Sequence, residues 1–173
     1  ASPTFTGTPA APTVAATAAA GTTQLATTAF VRNGTTTNDN APAGQVGEYI
    51  SATVLVGAAV ALTTNVVTNI TSISLTAGDW DVSGSVGFAP AGGTTIVNGL
   101  AAINTVSTTL PLASSGAYSL IWPGQTAGAA LVVPVASTRI SIASTTTVFL
   151  IGQAGFITST MSGYGFIGAR RAR

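Results

Sequence analysis

The sequence predicts an all-β protein, a jelly-roll-like antiparallel β-sandwich preceded by an extended and short-helical N-terminal segment. Three observations carry this reading. From Gly47 onward, short β-branched and aromatic runs alternate with Gly, Pro and Asn turn signals. One run, Trp80–Phe88, sets Trp80, Val82, Val86 and Phe88 on one parity and Asp81, Ser83, Ser85 and Gly87 on the other. That is the pattern of a strand with one buried and one polar face. Helix signals are absent after residue 46.

The elements follow in order. Pro3, Pro9 and Pro12 favour extended chain at the start. After Gly21, Thr22 or Thr23 caps a short helix that carries Leu25, Ala29 and Phe30 on one face and ends before Asn33-Gly34. Isolated helices under about 12 residues are marginal, so this face needs partners, and copies of itself from neighbouring chains are the simplest ones. Asn33–Gln45 (NGTTTNDNAPAGQ) reads as a linker, which divides the chain into residues 1–46 and 47–173. In the second region strands are expected at Tyr49–Val56, Val66–Leu75, Trp80–Phe88, Ile96–Val106, Tyr118–Ile121, Leu131–Val133, Ile140–Ala143, Val148–Ile151 and Gly163–Arg170. Some nine short strands with such turns indicate a sandwich or jelly roll.

Composition narrows the chemistry. The 173 residues include no Cys and no His, so zinc sites, iron–sulfur clusters and Cys/His or Ser/His nucleophilic devices cannot be assembled within the chain. The carboxylates are Asp39, Glu48, Asp79 and Asp81, and the cations are five arginines. A net charge of +1 is too small for phosphate-backbone recognition, so no nucleic-acid partner is expected. The chain is 5% charged, with a mean hydropathy of +0.55. A monomer of its size would expose roughly 7,700 Å², or about one charge per 850 Å². Such a surface calls for a covering of Ser and Thr hydroxyls, for burial in an oligomer, or for both. The apolar runs Ala52–Leu62 and Ala127–Ala136 fall short of the about 20 residues that a spanning helix needs, so no membrane insertion is expected. No Lys/Arg-led apolar stretch marks a secretory signal. No cofactor is called for.

Ser2–Val31, SPTFTGTPAAPTVAATAAAGTTQLATTAFV, resembles a segment of tail fibre proteins of tailed bacteriophages, where a Pro-Thr-Ala-Pro-Thr stretch leads into Thr-Gln-Ile/Leu-Ala-Thr-Thr-Ala-Phe-Val. The resemblance covers about 30 contiguous residues and implies a homotrimer with this segment in the shaft or neck. The C-terminal region is similar to the distal head domains of such fibres, through Thr146–Leu150, Gly163–Ile167 and the closing Ala169-Arg170-Arg171. The order of cues, with Gly78-Asp79-Trp80 near the middle and a final aromatic-Gly strand, also resembles the trimeric jelly rolls of the complement and tumour-necrosis-factor type. The resemblance implies a non-enzymatic virion fibre or spike. It would attach the particle to a bacterial surface glycan or protein through head loops and dock on other virion proteins through its N-terminal segment. The alternative is a structural virion component, such as a head fibre, decoration or adaptor, without a receptor of its own.

Several residues invite a role. Trp122, at the Pro123-Gly124 turn, offers an aromatic platform for a sugar ring or a partner pocket; a strand-end plug of the core or of a subunit seam is the plainer reading. Gln125, Tyr118 and Asn98 would add hydrogen bonds. Trp80 belongs to the core by parity. Asp79 is expected to order its turn, since a metal at Asp79 and Asp81 would need further oxygen ligands that the sequence does not supply. Arg170, Arg171 and Arg173 form the one charge cluster. It could place Arg170 in a bridge to Asp79, Asp81 or Glu48 across a trimer seam, catch an acidic sugar, or be a solvated tail. Arg139 is expected to pair with a nearby carboxylate. Pro90–Thr95 is Gly-rich but lacks the Gly-Lys-Ser/Thr ending of a phosphate loop. A depolymerase would have to draw its paired carboxylates from Glu48 with Asp79 or Asp81.

Overall fold

A computed structural model describes residues 40–121 and 126–173. The expected neck residues Leu25, Ala29 and Phe30 and the loop residues Trp122 and Gln125 lie outside the described residues. The rest is all-β: β1 (Tyr49–Val54), β2 (Val60–Leu62), β3 (Thr68–Leu75), β4 (Gly78–Pro90), β5 (Thr95–Asn104), β6 (Tyr118–Ile121), β7 (Leu131–Ile142), β8 (Thr146–Ile157) and β9 (Met161–Arg171). The helical pieces among the described residues are single 3₁₀ turns at Val56–Ala58 and Ala113–Ser115.

The strands form two antiparallel sheets. The first runs β1-β9-β4-β7, with β2 extending the β1 side along β9; the second runs β3-β8-β5-β6. Among the described residues the chain changes sheet at most of its connections, and the first described strand pairs with the last. Between the sheets, Trp80, Val82, Val86 and Phe88 of β4 are fully buried against residues such as Ile103, Val133, Val148, Leu150 and Ile167. Each such Val, Leu, Ile or Phe contributes about 1.5–3 kcal/mol by leaving water. The alternation read in β4 is therefore the alternation of core and outer face.

Three bulges adjust the ladders. One adds Ile70 to β3, one adds a residue to β7 opposite Ser83, and one adds Val97 to β5. At the last, the Asn98 side-chain oxygen accepts the Gly155 N–H at 3.0 Å and so fills the gap left in the ladder.

Two strand expectations change. Leu131–Val133 and Ile140–Ala143 are the two ends of one strand, β7, which runs straight through Pro134. Proline is tolerated because β7 is the edge of its sheet and pairs with β4 alone, so the missing N–H would have faced outward. The strand expected over Tyr49–Val56 is shorter, and a further short strand follows it. β1 ends at Val54, a 3₁₀ turn follows, and β2 resumes pairing with β9.

A second apolar cluster lies on the outer face of the β3-β8-β5-β6 sheet. Leu100, Ala102 and Ile151 are buried there beneath Tyr118, Phe149, Val67 and Leu110. The connection between β5 and β6 is tied over this face by Asn69, which donates to the Ser107 hydroxyl at 2.7 Å and accepts the Thr108 N–H at 2.9 Å. Asn104 adds a 2.7 Å bond to the Thr109 carbonyl.

Candidate functional site

The charged side chains of the described residues gather at one end of the sandwich. Arg171 stands opposite Trp80 in the β4–β9 ladder, so both point inward. Its Nε donates to Glu48 at 2.9 Å, one terminal nitrogen donates to the Ala77 carbonyl at 2.7 Å, and the other donates to the Thr76 hydroxyl. The guanidinium carbon lies 4.3 Å from the centre of the Trp80 ring, and the indole N–H reaches the Thr76 carbonyl at 2.9 Å. Glu48 also accepts the Gly44 N–H at 2.8 Å. Burial pushes the Glu48 carboxyl up, but the Gly44 N–H and Arg171 together outweigh it and hold the group below its ordinary value. Gly78, at φ +145°, makes room for this arrangement, because a Cβ there would strike the Arg171 guanidinium.

Beside it, Asp79 receives Arg139 at 2.8 Å and also the Arg173 side chain. The Ser141 hydroxyl across the ladder, then Arg173 and Arg139, hold this carboxyl well below the usual carboxylate range. Backbone bonds close the same end: Asp79 N–H to the Arg173 carbonyl, and Ala172 N–H to the Asp79 carbonyl. Arg139 thus pairs as expected. Of the three terminal arginines, Arg171 is buried rather than part of a solvated tail, while Arg173 is tied to Asp79 with its side chain largely exposed. The bridge to Glu48 is made within one chain and by Arg171, since Arg170 has the opposite parity and lies exposed between Asp81 and Tyr49 in the ladders.

Of the proposed recognition residues, Asn98 and Tyr118 share the outer face of the second sheet. Leu100, paired with Leu120, separates them. Tyr118 is half-buried in the second apolar cluster, and Asn98 serves the β5 bulge. The chemistry available to each is therefore partly committed to the fold. No group of three or more His, Cys, Asp or Glu side chains converges to hold a metal among the described residues. No described helix is long and apolar enough to cross a membrane.

Sequence reasoning did not single out the outer face of the first sheet. There β9 presents Tyr164 and Phe166, and Tyr49 of β1 leans toward them over Gly168. The signal was present in Gly163-Tyr164-Gly165-Phe166, but alternation alone did not say which strands flank these rings. A shallow depression of about 270 Å³ lies at the Tyr164 end, walled by Leu55, Val56 and Val132.

A scan against family models gives no match, and a search of curated proteins gives none either. Solved structures similar to this chain include that of the Gx strain of infectious bursal disease virus, at 15% identity and a TM-score of 0.44, covering 72% of this chain and 32% of that one. The VP2 subviral particle of infectious bursal disease virus is similar at 15% identity and a TM-score of 0.36, covering 72% and 30%. The chain spans about a third of the length of these proteins.

Proposed function

We propose that this protein is a non-enzymatic structural component of a virus particle. In this reading it is a homotrimeric fibre, spike or decoration module whose first 46 residues dock on other virion proteins. The strand orders β1-β9-β4-β7 and β3-β8-β5-β6 are those of a jelly roll, an architecture shared by capsid and lectin domains. Fold alone does not decide function. The observation that carries the reading is the surface: Leu55, Val56, Val106, Leu112 and Val132 are each more than half exposed on a chain that is 5% charged. Such a surface favours burial against copies and neighbours. The absence of enzymatic chemistry is supported by Glu48 and Asp79, whose carboxylates are engaged by Arg171, Arg139 and Arg173. Light scattering tests the assembly: a mass of three times 16.9 kDa supports it, and a stable monomer overturns it. Immunogold labelling of particles tests the location.

Attachment to a bacterial surface is the second reading, favoured by the partly exposed aromatic residues Tyr49, Tyr164 and Phe166. Trivalency raises avidity by about 10²–10⁴ over a single site, so weak individual sites suffice. Loss of cell binding on Trp122→Ala, with assembly intact, would support attachment through the 122–125 loop.

A further inference from the structure

We infer that the outer face of the β1-β9-β4-β7 sheet is a binding platform for a neutral oligosaccharide lying along β9. This deepens the attachment reading by naming a ligand class and a place, and it is independent of the 122–125 loop.

The platform is built by register. Along β9 the outward positions are Tyr164, Phe166, Gly168 and Arg170, successive ones about 6.7 Å apart. The Tyr164 ring lies over Gly87 of β4: its Cζ, Cε1 and Cε2 crowd the point where a Cβ would stand at nearly equal distances, so the ring rests on the glycine by its face. The opposite face is turned outward. At Gly168 the Phe166 Cζ and the Tyr49 hydroxyl come within 2.9 Å and 2.5 Å of the Cβ position, so both side chains reach over this glycine by their tips. Gly87 thus lies beneath the Tyr164 ring and Gly168 leaves room for the tips of Phe166 and Tyr49, and all three aromatic side chains of the row stay partly exposed.

Hydroxyls line both sides of this row. Thr53 and Ser51 of β1 stand opposite Phe166 and Gly168, and Ser85 and Ser83 of β4 stand opposite the same two positions on the other flank. Charge enters only beyond Gly168, where Arg170 faces Asp81.

A pyranose has a face of C–H groups and an edge of hydroxyls. A ring lying flat offers the first a broad dispersion contact, and Ser and Thr hydroxyls, as donors and acceptors, match the second. The uncharged flanks favour a neutral sugar over an acidic one. The exposed aliphatic residues Leu55, Val56 and Val132, which a neighbouring copy would cover, flank the Tyr164 end of the row, while Ser51 and Ser83 flank the Gly168 end.

The test is calorimetric titration of the full chain with linear tetra- to hexasaccharides of glucose, mannose, galactose and N-acetylglucosamine. At least one is expected to bind. Tyr164→Ala and Phe166→Ala should weaken it about tenfold or more, while Tyr164→Phe, which keeps the ring, should stay near wild type. Gly87→Ala should also weaken binding, because it lifts the Tyr164 ring without removing it; retained melting temperatures exclude misfolding. The proposal is overturned if no member of the panel binds, or if binding survives Tyr164→Ala. It is overturned too if Tyr164→Ala changes the particle mass, which would make this face a contact between copies. Binding lost in Trp122→Ala but kept in Tyr164→Ala would leave attachment standing and remove this site.

Discussion

The Arg171 guanidinium lies 4.3 Å above the Trp80 ring while its Nε is bonded to Glu48. One side chain therefore joins the core, the last strand and the segment that enters β1. Three of its donors are satisfied in a setting where the Arg171 side chain is 4% exposed. Removing one partner of a buried pair leaves the other charged and alone, at a cost of about 3–5 kcal/mol. Glu48→Ala and Arg171→Ala should each lower the free energy of urea unfolding by about that amount. Arg171→Lys should recover little, because a single ammonium cannot reproduce the planar fork. Gly78→Ala should resemble Arg171→Ala, since its Cβ would displace the same group.

Acid should loosen the same end of the sandwich. Glu48 and Asp79 both titrate below their ordinary values of 4.5 and 3.8 in the folded chain. Their stabilisation is present in full above those values, and is lost as pH falls through them toward the depressed folded values, where the unfolded chain binds protons first. The melting temperature should be level from pH 7 to about pH 5 and then fall steeply below about pH 4. Glu48→Gln combined with Asp79→Asn should start lower and show a flatter acid limb. An unchanged slope in that double variant would assign the acid sensitivity elsewhere.

Much of the sandwich was legible because alternation is a local property. Trp80–Phe88 announced its buried face, and Tyr118–Ile121 is the strand seen in the structure. What escaped depends on neighbours. Pro134 reads as a break until β7 is known to be an edge, and the parity that separates Arg170 from Arg171 does not say which of them points inward. Tyr49, Phe166 and Tyr164 are brought together only by the β1–β9 and β4–β9 registers.

The β8–β9 connection carries strain that can be relieved. Thr158 adopts φ +89°, a region that costs a residue with a Cβ about 1–2 kcal/mol. Glycine removes this cost but loses about 0.5–1 kcal/mol of backbone entropy on folding. Thr158→Gly should therefore stabilise the protein by up to about 1.5 kcal/mol, the difference of these terms. Equilibrium urea unfolding should show a higher midpoint with an unchanged slope.

Gly84 should behave in the opposite way. It sits at the centre of β4 where β9 approaches closely, and a Cβ there would lie 2.6 Å from the Phe166 carbonyl oxygen and 3.2 Å from Leu150 Cδ1. The leucine end can turn, but the carbonyl is fixed by the ladder in which Gly84 pairs with Ile167 and its neighbours. Gly84→Ala must then push β4 and β9 apart or rotate a peptide out of register, and overpacking of this kind costs about 1–3 kcal/mol. Because β9 also carries Tyr164 and Phe166, the same substitution should disturb the outer aromatic row. Urea unfolding would read the lost stability, and NMR shifts of the Tyr164 and Phe166 rings would read the displacement. A variant with wild-type stability would mean that the two strands yield at this point without cost.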